Sequence, residues 1–369
     1  MRILLVSTVK RNVTESTTAS RSRIIFTLSQ GLAKRGHEVS LLGTGDSVID
    51  GVDVIPVTPK GWVDLPNEEN PFFLQVSLLI QLAQRVKELQ NDFDVIHNHT
   101  YPEFFLPLIE NDITVPFVTT VHSQGTDYID NTLCTFHKSV FVALSNGHKK
   151  GFKKTHFETV IYNGIDTNSF SFSEKKNTYF LWIGRLSKAK DKAGNFLDPK
   201  GIRHAIALAK RTGKKLKLAG NVEDQAFFDQ DVKPYLNDKI EWVGLIGNEQ
   251  NVQRSDVVKL MQGARAFLMT VNWEEPFGLV MAEAMSCGTP VIAFDRGAVS
   301  EIVVDTVTGY VVDPITGING LVTASKKLDA LSHEEYTTMI KAARKRVEEN
   351  FTIEKMVDKY EMLYKRLCL

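Results

Sequence analysis

The sequence predicts an α/β protein built from two doubly wound domains, each organised around a parallel sheet. Residues 3–7 are typical of a buried parallel strand, and apolar residues then recur at helical spacing from residue 24 to residue 32. Gly36 ends that helix and residues 38–42 form the next strand, which completes a strand–helix–strand unit. Residues 179–184 start a second series in the same way, and a chain of 369 residues is long enough for two such domains.

The first half continues as an alternation of strands and helices. An amphipathic helix is predicted over residues 78–89, and further strands are predicted at residues 53–57, 95–96, 117–121 and 140–144. A lysine-rich helix is expected around residues 149–154, and the segment 160–166 closes this half. The polar connection at residues 171–177 marks the predicted domain boundary.

The second half repeats the alternation and ends in helices. Helices are expected at residues 202–209, 257–261 and 279–287, and strands at residues 215–219, 240–243, 266–269 and 291–294. Ser332 and Glu335 have capping-box spacing, which predicts the start of a tail helix, and a last helix is expected at about residues 353–367. We therefore expect an N-terminal domain of residues 1–170, a C-terminal domain of residues 171–350 and a terminal helix within residues 351–369.

Composition excludes several classes of function. Apolar residues make up 43% of the chain and charged residues 24%, a balance that supplies two ordinary cores. The formal net charge is zero, which argues against nucleic-acid binding by neutralisation of phosphates. The three cysteines, Cys134, Cys287 and Cys368, lie far apart, so neither a disulfide framework nor metal-ligand spacing is indicated.

Targeting signals are not indicated by the sequence. Residues 1–6 lead directly into a strand without the charged-then-apolar pattern of a secretory signal. No apolar run approaches the length of about 18 residues that a membrane-spanning helix needs. These features predict a cytoplasmic protein.

The stretch at residues 273–289 is the one around which a functional site is expected. An apolar run leads into it, Pro276 and Gly278 interrupt that strand, and a helix follows. It carries two carboxylates, Glu275 in the loop and Glu283 inside the helix. Because amide groups at a helix N-terminus carry partial positive charge, this loop is suited to hold an anion.

Two basic residues in the second half indicate which anion this is. Arg185 lies at the carboxyl end of the first predicted strand of this half, where ligands bind in open α/β sheets, and Lys200 precedes the following helix. Arginine offers a planar fork for phosphate oxygens and lysine a point charge, while carboxylates accept hydrogen bonds from sugar hydroxyls. Together with Glu275 and Glu283 they predict a diphosphate ester with hydroxyl-bearing groups at both ends.

The same residues resemble the retaining family-4 glycosyltransferases of the group 1 type. Residues 275–291 read Glu-Pro-Phe-Gly-Leu-Val-Met-Ala-Glu-Ala-Met-Ser-Cys-Gly-Thr-Pro-Val and match that family's E-x7-E pattern at Glu275 and Glu283. Gly184-Arg185-Leu186 and Lys200-Gly201 resemble its diphosphate-binding pair. The resemblance extends over nearly the whole chain, through further matches at residues 35–39, 94–97, 162–166 and 297–301.

The resemblance implies the GT-B fold, in which two Rossmann-like domains face a cleft and the C-terminal helix crosses back to the N-terminal domain. It implies a hexosyltransferase that moves a sugar from a nucleotide diphosphate sugar, UDP-linked before GDP-linked, to a hydroxyl acceptor with retained configuration. The acceptor, a sugar, a lipid-linked molecule or a small molecule, would bind mainly in the N-terminal domain. Neither a metal nor any other cofactor is expected.

Roles carry over residue by residue. Glu275 would contact hydroxyls of the donor sugar and Glu283 those of the ribose. Arg185 and Lys200 would neutralise the departing diphosphate, helped by the amides of the loop and helix start, Phe277, Gly278, Leu279 and Val280. His122 matches a histidine placed near the reacting sugar, where its backbone or ring would hold a hydroxyl. Gly244 and Leu245 resemble a stretch near the nucleobase.

Two departures from the family pattern concern loops. The family usually has a pair of glycines after the first strand, whereas residues 10–20 here contain none. Hydroxyl groups or the side chains of Lys10 and Arg11 would substitute, or the loop would lie farther from the ligand. The spacing between Arg185 and Lys200 is also longer than usual, and residues 188–198 are expected to form a surface loop or a flap over the diphosphate.

Other interpretations of single motifs stay open or are rejected. His97, His99 and His122 invite a zinc site, which we reject because no pair has the helical spacing of metal ligands. The lysines at positions 149, 150, 153 and 154 form either a solvated helix face or a weak contact with an anionic membrane surface or phosphorylated acceptor. Alternative functions on the same fold are a nucleotide-sugar epimerase, a disaccharide phosphorylase and a non-catalytic nucleotide-sugar-binding protein.

Overall fold

The computed structural model describes residues 1–65, 70–245 and 253–369, which divide into two compact units. Unit 1 comprises Met1–Gly164 together with Ile353–Leu369, and unit 2 comprises Ile165–Thr352. Among these described residues, each unit has a single sheet whose paired strands are all parallel, covered by helices. The predicted pair of Rossmann-like α/β domains is confirmed.

Unit 1 contains a seven-stranded sheet in the order β3-β2-β1-β4-β5-β6-β7. Its strands are β1 (Arg2–Val6), β2 (Glu38–Thr44), β3 (Asp53–Thr58), β4 (Val95–Asn98), β5 (Phe117–Thr120), β6 (Val140–Ala143) and β7 (Thr159–Val160). The helices that accompany them are α1 (Ser20–Ala33), α2 (Pro71–Leu89), α3 (Asp127–Leu133) and α4 (Asn146–Lys150). The central strands β1 and β4 are fully buried except at Arg2, because helices cover both faces of the sheet.

Unit 2 contains a six-stranded sheet in the order β10-β9-β8-β11-β12-β13. Its strands are β8 (Phe180–Leu186), β9 (Leu216–Val222), β10 (Ile240–Gly244), β11 (Ala266–Met269), β12 (Val291–Phe294) and β13 (Gly309–Val312). Its helices are α5 (Ile202–Thr212), α6 (Gln225–Asp231), α7 (Arg254–Gly263), α8 (Leu279–Ser286), α9 (Val299–Ile302), α10 (Gly317–Ala330) and α11 (His333–Asn350). The core of this unit is built around the buried side chains of Phe180, Trp182, Leu268 and Ile292.

Strand order reverses direction at one point in each sheet. In unit 1 the chain moves outward from β1 through β2 and β3, then returns to pair β4 with the other side of β1. In unit 2 the same reversal separates β8 from β11. Ligands of open α/β sheets bind outside the carboxyl ends of the strands at such a reversal.

The last helix, α12 (Ile353–Leu367), has the predicted bounds and belongs to unit 1, where it packs on α1. Its apolar face is buried at Val357, Tyr360 and Tyr364. Arg35, just beyond α1, pairs with Asp358 at 2.6 Å and with Glu361 at 2.9 Å. Hydrogen bonds from Lys365, the largest cause, and from Arg35 lower the pKa of Glu361 to about 2.

The division between the units differs from the expected one by a few residues at each end. The amide of Ile165 donates to the carbonyl of Phe351 at 2.7 Å, and Ile165 forms a parallel bridge with Thr352. Arg344 donates to the carbonyls of Thr167 and Phe170. These bonds place residues 165–170 in unit 2, so the polar segment at 171–177 lies inside that unit and not at its start.

The expected lysine-rich helix is wrong in length. Helix α4 ends at Lys150, because the buried carboxylate of Asp130 accepts the amides of Lys153, Lys154 and Thr155 and draws that segment into a turn. All four lysines at positions 149, 150, 153 and 154 are exposed. Within residues 1–65, 70–245 and 253–369, none of the helices is both long and apolar enough to cross a bilayer.

The packing of α12 on α1 depends on a glycine. A Cβ atom at Gly31 would lie 2.6 Å from a methyl carbon of Val357, which is buried. We expect Gly31→Val to lower the free energy of unfolding by about 2 kcal/mol, since overpacking forces the two helices apart. Urea unfolding measures this, with the exposed Lys34→Val as control. Equal stability of the two variants would contradict this description of the contact.

Candidate functional site

The carboxyl ends of β8 and β11 bring Lys200 and Glu275 together in unit 2. The ammonium Nζ of Lys200 lies 2.7 Å from Oε2 of Glu275. The indole Nε1 of Trp273 donates to the same oxygen at 2.9 Å, and Lys200 Nζ lies 4.2 Å above the centroid of a Trp273 ring. Oε2 therefore accepts two hydrogen bonds, whereas Oε1 of Glu275 has no hydrogen-bond partner among the described residues.

The backbone of Glu275 is held by a hydrogen bond and close packing from the loop after β12. Its carbonyl accepts the amide of Ala298 at 2.9 Å. Gly297 has φ +62°, and a Cβ there would lie 2.3 Å from the Glu275 carbonyl oxygen, so only glycine permits this approach. The side chain of the neighbouring Glu274 accepts the amide of Gly297 at 2.6 Å. The loop is therefore fixed from both sides before any ligand binds.

Lys200 is positioned by the start of α5. The buried carboxylate of Asp198 accepts the amides of Gly201, Ile202 and Arg203 at 2.8–3.1 Å. Burial is the largest influence on this carboxyl group and raises its pKa, while the three backbone hydrogen bonds act in the opposite direction. The helix N-terminus is thus already occupied by an internal anion, so the positive group that this segment offers to a ligand is the Lys200 side chain.

Close packing at Gly201 explains why a glycine follows Lys200. Gly201 has φ +73°, and a Cβ there would lie 1.6 Å from the carbonyl oxygen of Thr270. The hydroxyl of Thr270 donates to the Gly201 carbonyl at 2.7 Å. The indole of Trp182 donates to the Lys200 carbonyl at 3.0 Å. The end of β11 and the start of α5 are thereby held side by side, which is what brings Lys200 to Glu275.

Helix α8 begins directly beyond Glu275. Gly278 precedes the helix with φ +87°, and the amides of Gly278, Leu279 and Val280 have no backbone acceptor among the described residues. Phe277 is buried and packs edge-on against Phe351 at 5.8 Å between ring centroids. The expected row of amides at a helix N-terminus is therefore present.

The two remaining unit 2 residues with expected charge roles differ in environment. Glu283 lies inside α8 and is buried, with 2% of its surface exposed. Arg185 is more than half exposed and pairs with Glu223 at 3.0 Å. The structure thus brings Lys200 to Glu275 and gives Arg185 a different carboxylate partner. Glu223 was not identified from the sequence, because nothing in its spacing relates it to Arg185.

The long segment between Arg185 and Lys200 contains an exposed hairpin in which one phenylalanine is buried. Lys190 and Phe196 form an antiparallel bridge, and the carboxylate of Asp191 accepts the amides of Ala193 and Asn195. Phe196 is buried and stacks on Phe227 at 5.3 Å. The tip is exposed, in accordance with a surface loop, whereas a flap over a ligand stays a prediction.

Gly244 and Leu245 lie at the carboxyl end of β10. The pairing of β10 with β9 is irregular between Trp242 and Gly244, which marks a bulge at this end of the strand. Leu245 is half-buried and is the last described residue before the gap at 246–252. Their expected place near a nucleobase stays a prediction.

The carboxyl edge of the unit 1 sheet carries a second buried polar cluster, around His122. The carboxylate of Glu103 accepts the amides of His122 at 2.8 Å and Ser123 at 2.6 Å, and it pairs with Arg21 at 2.9 Å. Arg21 also donates to the Thr100 carbonyl. Neither Arg21 nor Glu103 was identified from the sequence, because a loop residue and a helix residue 82 positions apart show no common pattern.

The ring of His122 belongs to a row of histidines. His122 Nε2 lies 2.9 Å from His99 Nδ1, and His99 Nε2 lies 3.2 Å from His97 Nδ1. The ring nitrogens thus face one another and do not converge on a common point. Within the described parts of the chain, no group of three or more His, Cys, Asp or Glu side chains has an arrangement that could hold a metal ion.

The loop after β1 is held against neighbouring segments despite its lack of glycine. The Val13 amide donates to the Ser47 hydroxyl, and Val9 accepts the Trp62 amide at 3.0 Å. The close approach is made possible by Gly61, where a Cβ would lie 2.3 Å from the carbonyl oxygen of Lys10. The side chain of Lys10 lies over the rings of Trp62 and Tyr101.

Two family models match the chain. The model described as glycosyl transferases group 1 matches residues 165–346, and the model described as glycosyltransferase family 4 matches residues 22–169. Together they span both units, and their limits fall near the division between them.

Individual relatives and solved structures agree with the models. N-acetyl-alpha-D-glucosaminyl L-malate synthase of Bacillus anthracis is 26% identical over 371 residues, covering 91% of each chain. Glycogen synthase of Mycobacterium tuberculosis is 25% identical, over 84% of this chain and 81% of the relative. Sucrose-phosphate synthase from Thermosynechococcus elongatus superimposes with a TM-score of 0.77 at 19% identity, over 100% of this chain and 99% of that one. Anabaena HepE in complex with UDP-glucose superimposes with a TM-score of 0.74 at 18% identity over the full length of both chains.

The Lys200–Glu275 pair makes a prediction about stability. The two side chains are 22% and 10% exposed, so Lys200→Met leaves a largely buried carboxylate without its cation and is expected to cost about 2 kcal/mol. Adding Glu275→Gln should recover part of that loss, giving a coupling energy of about 1 kcal/mol in urea unfolding. The exposed pair Lys341–Glu174 of the same unit is the matched control and should show almost no coupling. Equal coupling in both pairs would contradict the description of this site.

Proposed function

The chain belongs to the group 1, family 4 glycosyltransferases, and from that membership we propose that it transfers a hexose from a nucleotide diphosphate sugar to a hydroxyl acceptor with retained configuration. The observation that carries the proposal is the Lys200–Glu275–Trp273 cluster beside the N-terminus of α8. It puts a cation, a row of amides and a carboxylate oxygen side by side. These are the groups that a diphosphate and a sugar hydroxyl require.

The roles of the unit 2 residues follow from their contacts. Lys200 uses one ammonium hydrogen for Glu275 and retains others for diphosphate oxygens, so it stabilises the negative charge that develops on the leaving group. Oε1 of Glu275 accepts a hydroxyl of the transferred sugar. Arg185, at the carboxyl end of β8, exchanges its exposed partner Glu223 for the diphosphate. Glu283 accepts ribose hydroxyls, and Gly244 and Leu245 lie near the base.

Retention is proposed from the resemblance to the retaining family, and front-face attack is preferred to a covalent intermediate because Glu275 is a poor candidate for a nucleophile. Its Oε2 is ion-paired with Lys200 and hydrogen-bonded to Trp273, which lowers its reactivity towards a sugar carbon. In front-face attack the bond from the anomeric carbon to the phosphate oxygen breaks while the bond to the acceptor oxygen forms on the same face. The proton of the acceptor hydroxyl passes to the leaving diphosphate.

UDP sugars are the proposed donors, with GDP sugars next. A solved neighbour with the same fold, Anabaena HepE, is described in complexes with UDP, with UDP and glucose and with UDP-glucose. A thermal-shift screen of UDP, GDP and ADP sugars ranks the donors, because a ligand that binds the native state raises the melting temperature.

Product analysis then distinguishes transfer from the other reactions. Free UDP together with a glycoside indicates transfer, and an isomerised donor indicates an epimerase. A sugar phosphate indicates a phosphorylase. Binding without turnover indicates a non-catalytic protein.

Lys200→Ala should lower the rate of transfer about a hundredfold or more, on the scale of losing an oxyanion donor. Initial rates of UDP release from UDP-glucose measure this, with the melting temperature recorded to confirm folding. Lys326→Ala, at an exposed position of α10 in the same unit, is the matched control and should keep full activity. A Lys200→Ala variant with near wild-type turnover would remove the cluster from the mechanism.

Transfer should not depend on a divalent metal. Lys200, Arg185 and the α8 amides supply the positive charge that a metal supplies in other phosphate-transfer sites. Dialysis against EDTA should therefore leave the rate of UDP release within about twofold of the untreated rate. A rate that falls with EDTA and returns with Mg²⁺ or Mn²⁺ would refute metal independence.

A further inference from the structure

A continuous row of hydrogen-bonding side chains connects His122 to helix α12 inside unit 1. Beyond the contacts of His122 with His99 and of His99 with His97, His97 Nδ1 lies 2.6 Å from the Tyr364 hydroxyl. His97 Nε2 lies 2.7 Å from the Thr120 hydroxyl, which in turn lies 2.8 Å from the Tyr360 hydroxyl. His97, His99, Thr120 and Tyr364 are completely buried.

The three imidazoles are neutral at pH 7. Burial lowers the pKa of His99 to about 3 and holds the pKa of His97 well below its usual value. Burial also lowers the pKa of His122 well below the usual value, reinforced by Arg21, by the two other histidines and by His148. A neutral imidazole has one N–H group and one lone pair, so the tautomer of each ring restricts the tautomer of the next.

Two opposite arrangements of hydrogens along the histidines differ in how well they satisfy the groups of the row. In the first, Tyr364 donates to His97 Nδ1, His97 Nε2–H donates to Thr120, and Thr120 donates to Tyr360. His99 Nε2–H then donates to His97 Nδ1, and His122 Nε2–H donates to His99 Nδ1. Each of the five contacts then has a hydrogen of its own, and the two donors at His97 Nδ1, Tyr364 at 2.6 Å and His99 at 3.2 Å, share the single lone pair of that nitrogen.

The second arrangement reverses every donor. His97 Nδ1–H must then serve both Tyr364 and His99, since both contacts share that nitrogen. The Tyr364 hydrogen is left without an acceptor, because the described residues provide no second partner for its buried hydroxyl. A phenol is also a better donor than acceptor, and the 2.6 Å distance suits O–H donation to a ring nitrogen. The first arrangement is therefore favoured.

The favoured arrangement determines what His122 offers to a ligand. Its Nε2–H is used by His99, and its Nδ1 keeps a lone pair with no partner among the described residues. We propose that His97, His99 and Tyr364 are positioning residues that hold the His122 ring as the Nε2–H tautomer, so that Nδ1 accepts a hydrogen bond from a substrate hydroxyl. The part of this statement that concerns substrate rests on the proposed function. Tyr364 makes α12 the terminal donor of the row, which gives the C-terminal helix a role besides packing.

The tautomer is measured without substrate. Long-range proton–nitrogen correlation spectra of 15N-histidine protein distinguish the two tautomers, and a His122→Gln sample assigns the signals. The wild-type ring of His122 should show protonated Nε2 and unprotonated Nδ1. Protonated Nδ1 in the wild type would overturn the proposal directly, whatever the stability of any variant.

Removing the Tyr364 hydroxyl should allow the His122 ring to adopt either tautomer. In Tyr364→Phe the ring packing is kept, the first arrangement loses its advantage, and the His122 signals should move towards a mixture of tautomers. Tyr336→Phe is the matched control, since Tyr336 is a buried tyrosine of unit 2 whose hydroxyl donates to the Arg265 carbonyl. This control should leave the tautomer unchanged. An unchanged His122 tautomer in folded Tyr364→Phe would refute the role of Tyr364.

A mutant cycle tests whether Tyr364 acts through His122. With UDP-glucose as donor, Tyr364→Phe should lower kcat/KM for UDP release about tenfold, the scale of one hydrogen bond, while Tyr336→Phe should not. In the His122→Ala background the same change should alter kcat/KM by less than about twofold. A full tenfold loss in that background would show an independent, structural effect and overturn the proposal. Absence of turnover in all variants, with the expected tautomer observed, would count against the proposed function alone.

Discussion

The ion pair between Lys200 and Glu275 is the interaction on which the unit 2 site depends. It joins two residues 75 positions apart, one from the start of α5 and one from the loop after β11. Each is held independently, Lys200 by the packing of Gly201 on Thr270 and Glu275 by the bond from Ala298. The pair offsets the cost of burying either charge alone. It also makes the two oxygens of Glu275 different, because Oε2 contacts Lys200 and Trp273 whereas Oε1 is available to a ligand.

In the unit 1 cluster an ion pair holds the backbone of His122, and neutral groups restrict its ring. Glu103 and Arg21 form a buried ion pair that secures the backbone of His122, while the ring is restricted by other imidazoles and by a tyrosine. Both clusters lie at the carboxyl edge of a parallel sheet, next to the point where the strand order reverses. In each unit, buried polar side chains are therefore tolerated where helices and loops satisfy them, and this is where chemistry is expected.

Local patterns predicted most of the helices and strands at or near their observed positions. The terminal helix was predicted at its observed bounds. The stretch around Glu275 forms the expected strand, loop and helix, because Pro276 has a fixed φ and Gly278 adopts a φ of +87° before the helix. The residues missed were Glu103, Glu223, Asp198 and Tyr364, all of which act through partners that are distant in sequence or through backbone amides. The lysine-rich helix was predicted too long, because the competing acceptor Asp130 lies more than 20 positions away. Periodicity reports which face is buried, but not which buried polar groups meet.

The anomeric configuration of the product tests directly whether the protein transfers the sugar with retention. UDP-[1-13C]glucose is incubated with the protein and the hydroxyl acceptor that supports UDP release, and the C1 signal of the glycoside is followed by NMR. Retaining transfer predicts that UDP accumulates together with a glycoside in the α configuration, which is the configuration of the donor. A β-configured product, or an intact donor with every nucleotide sugar and acceptor that binds, would contradict it.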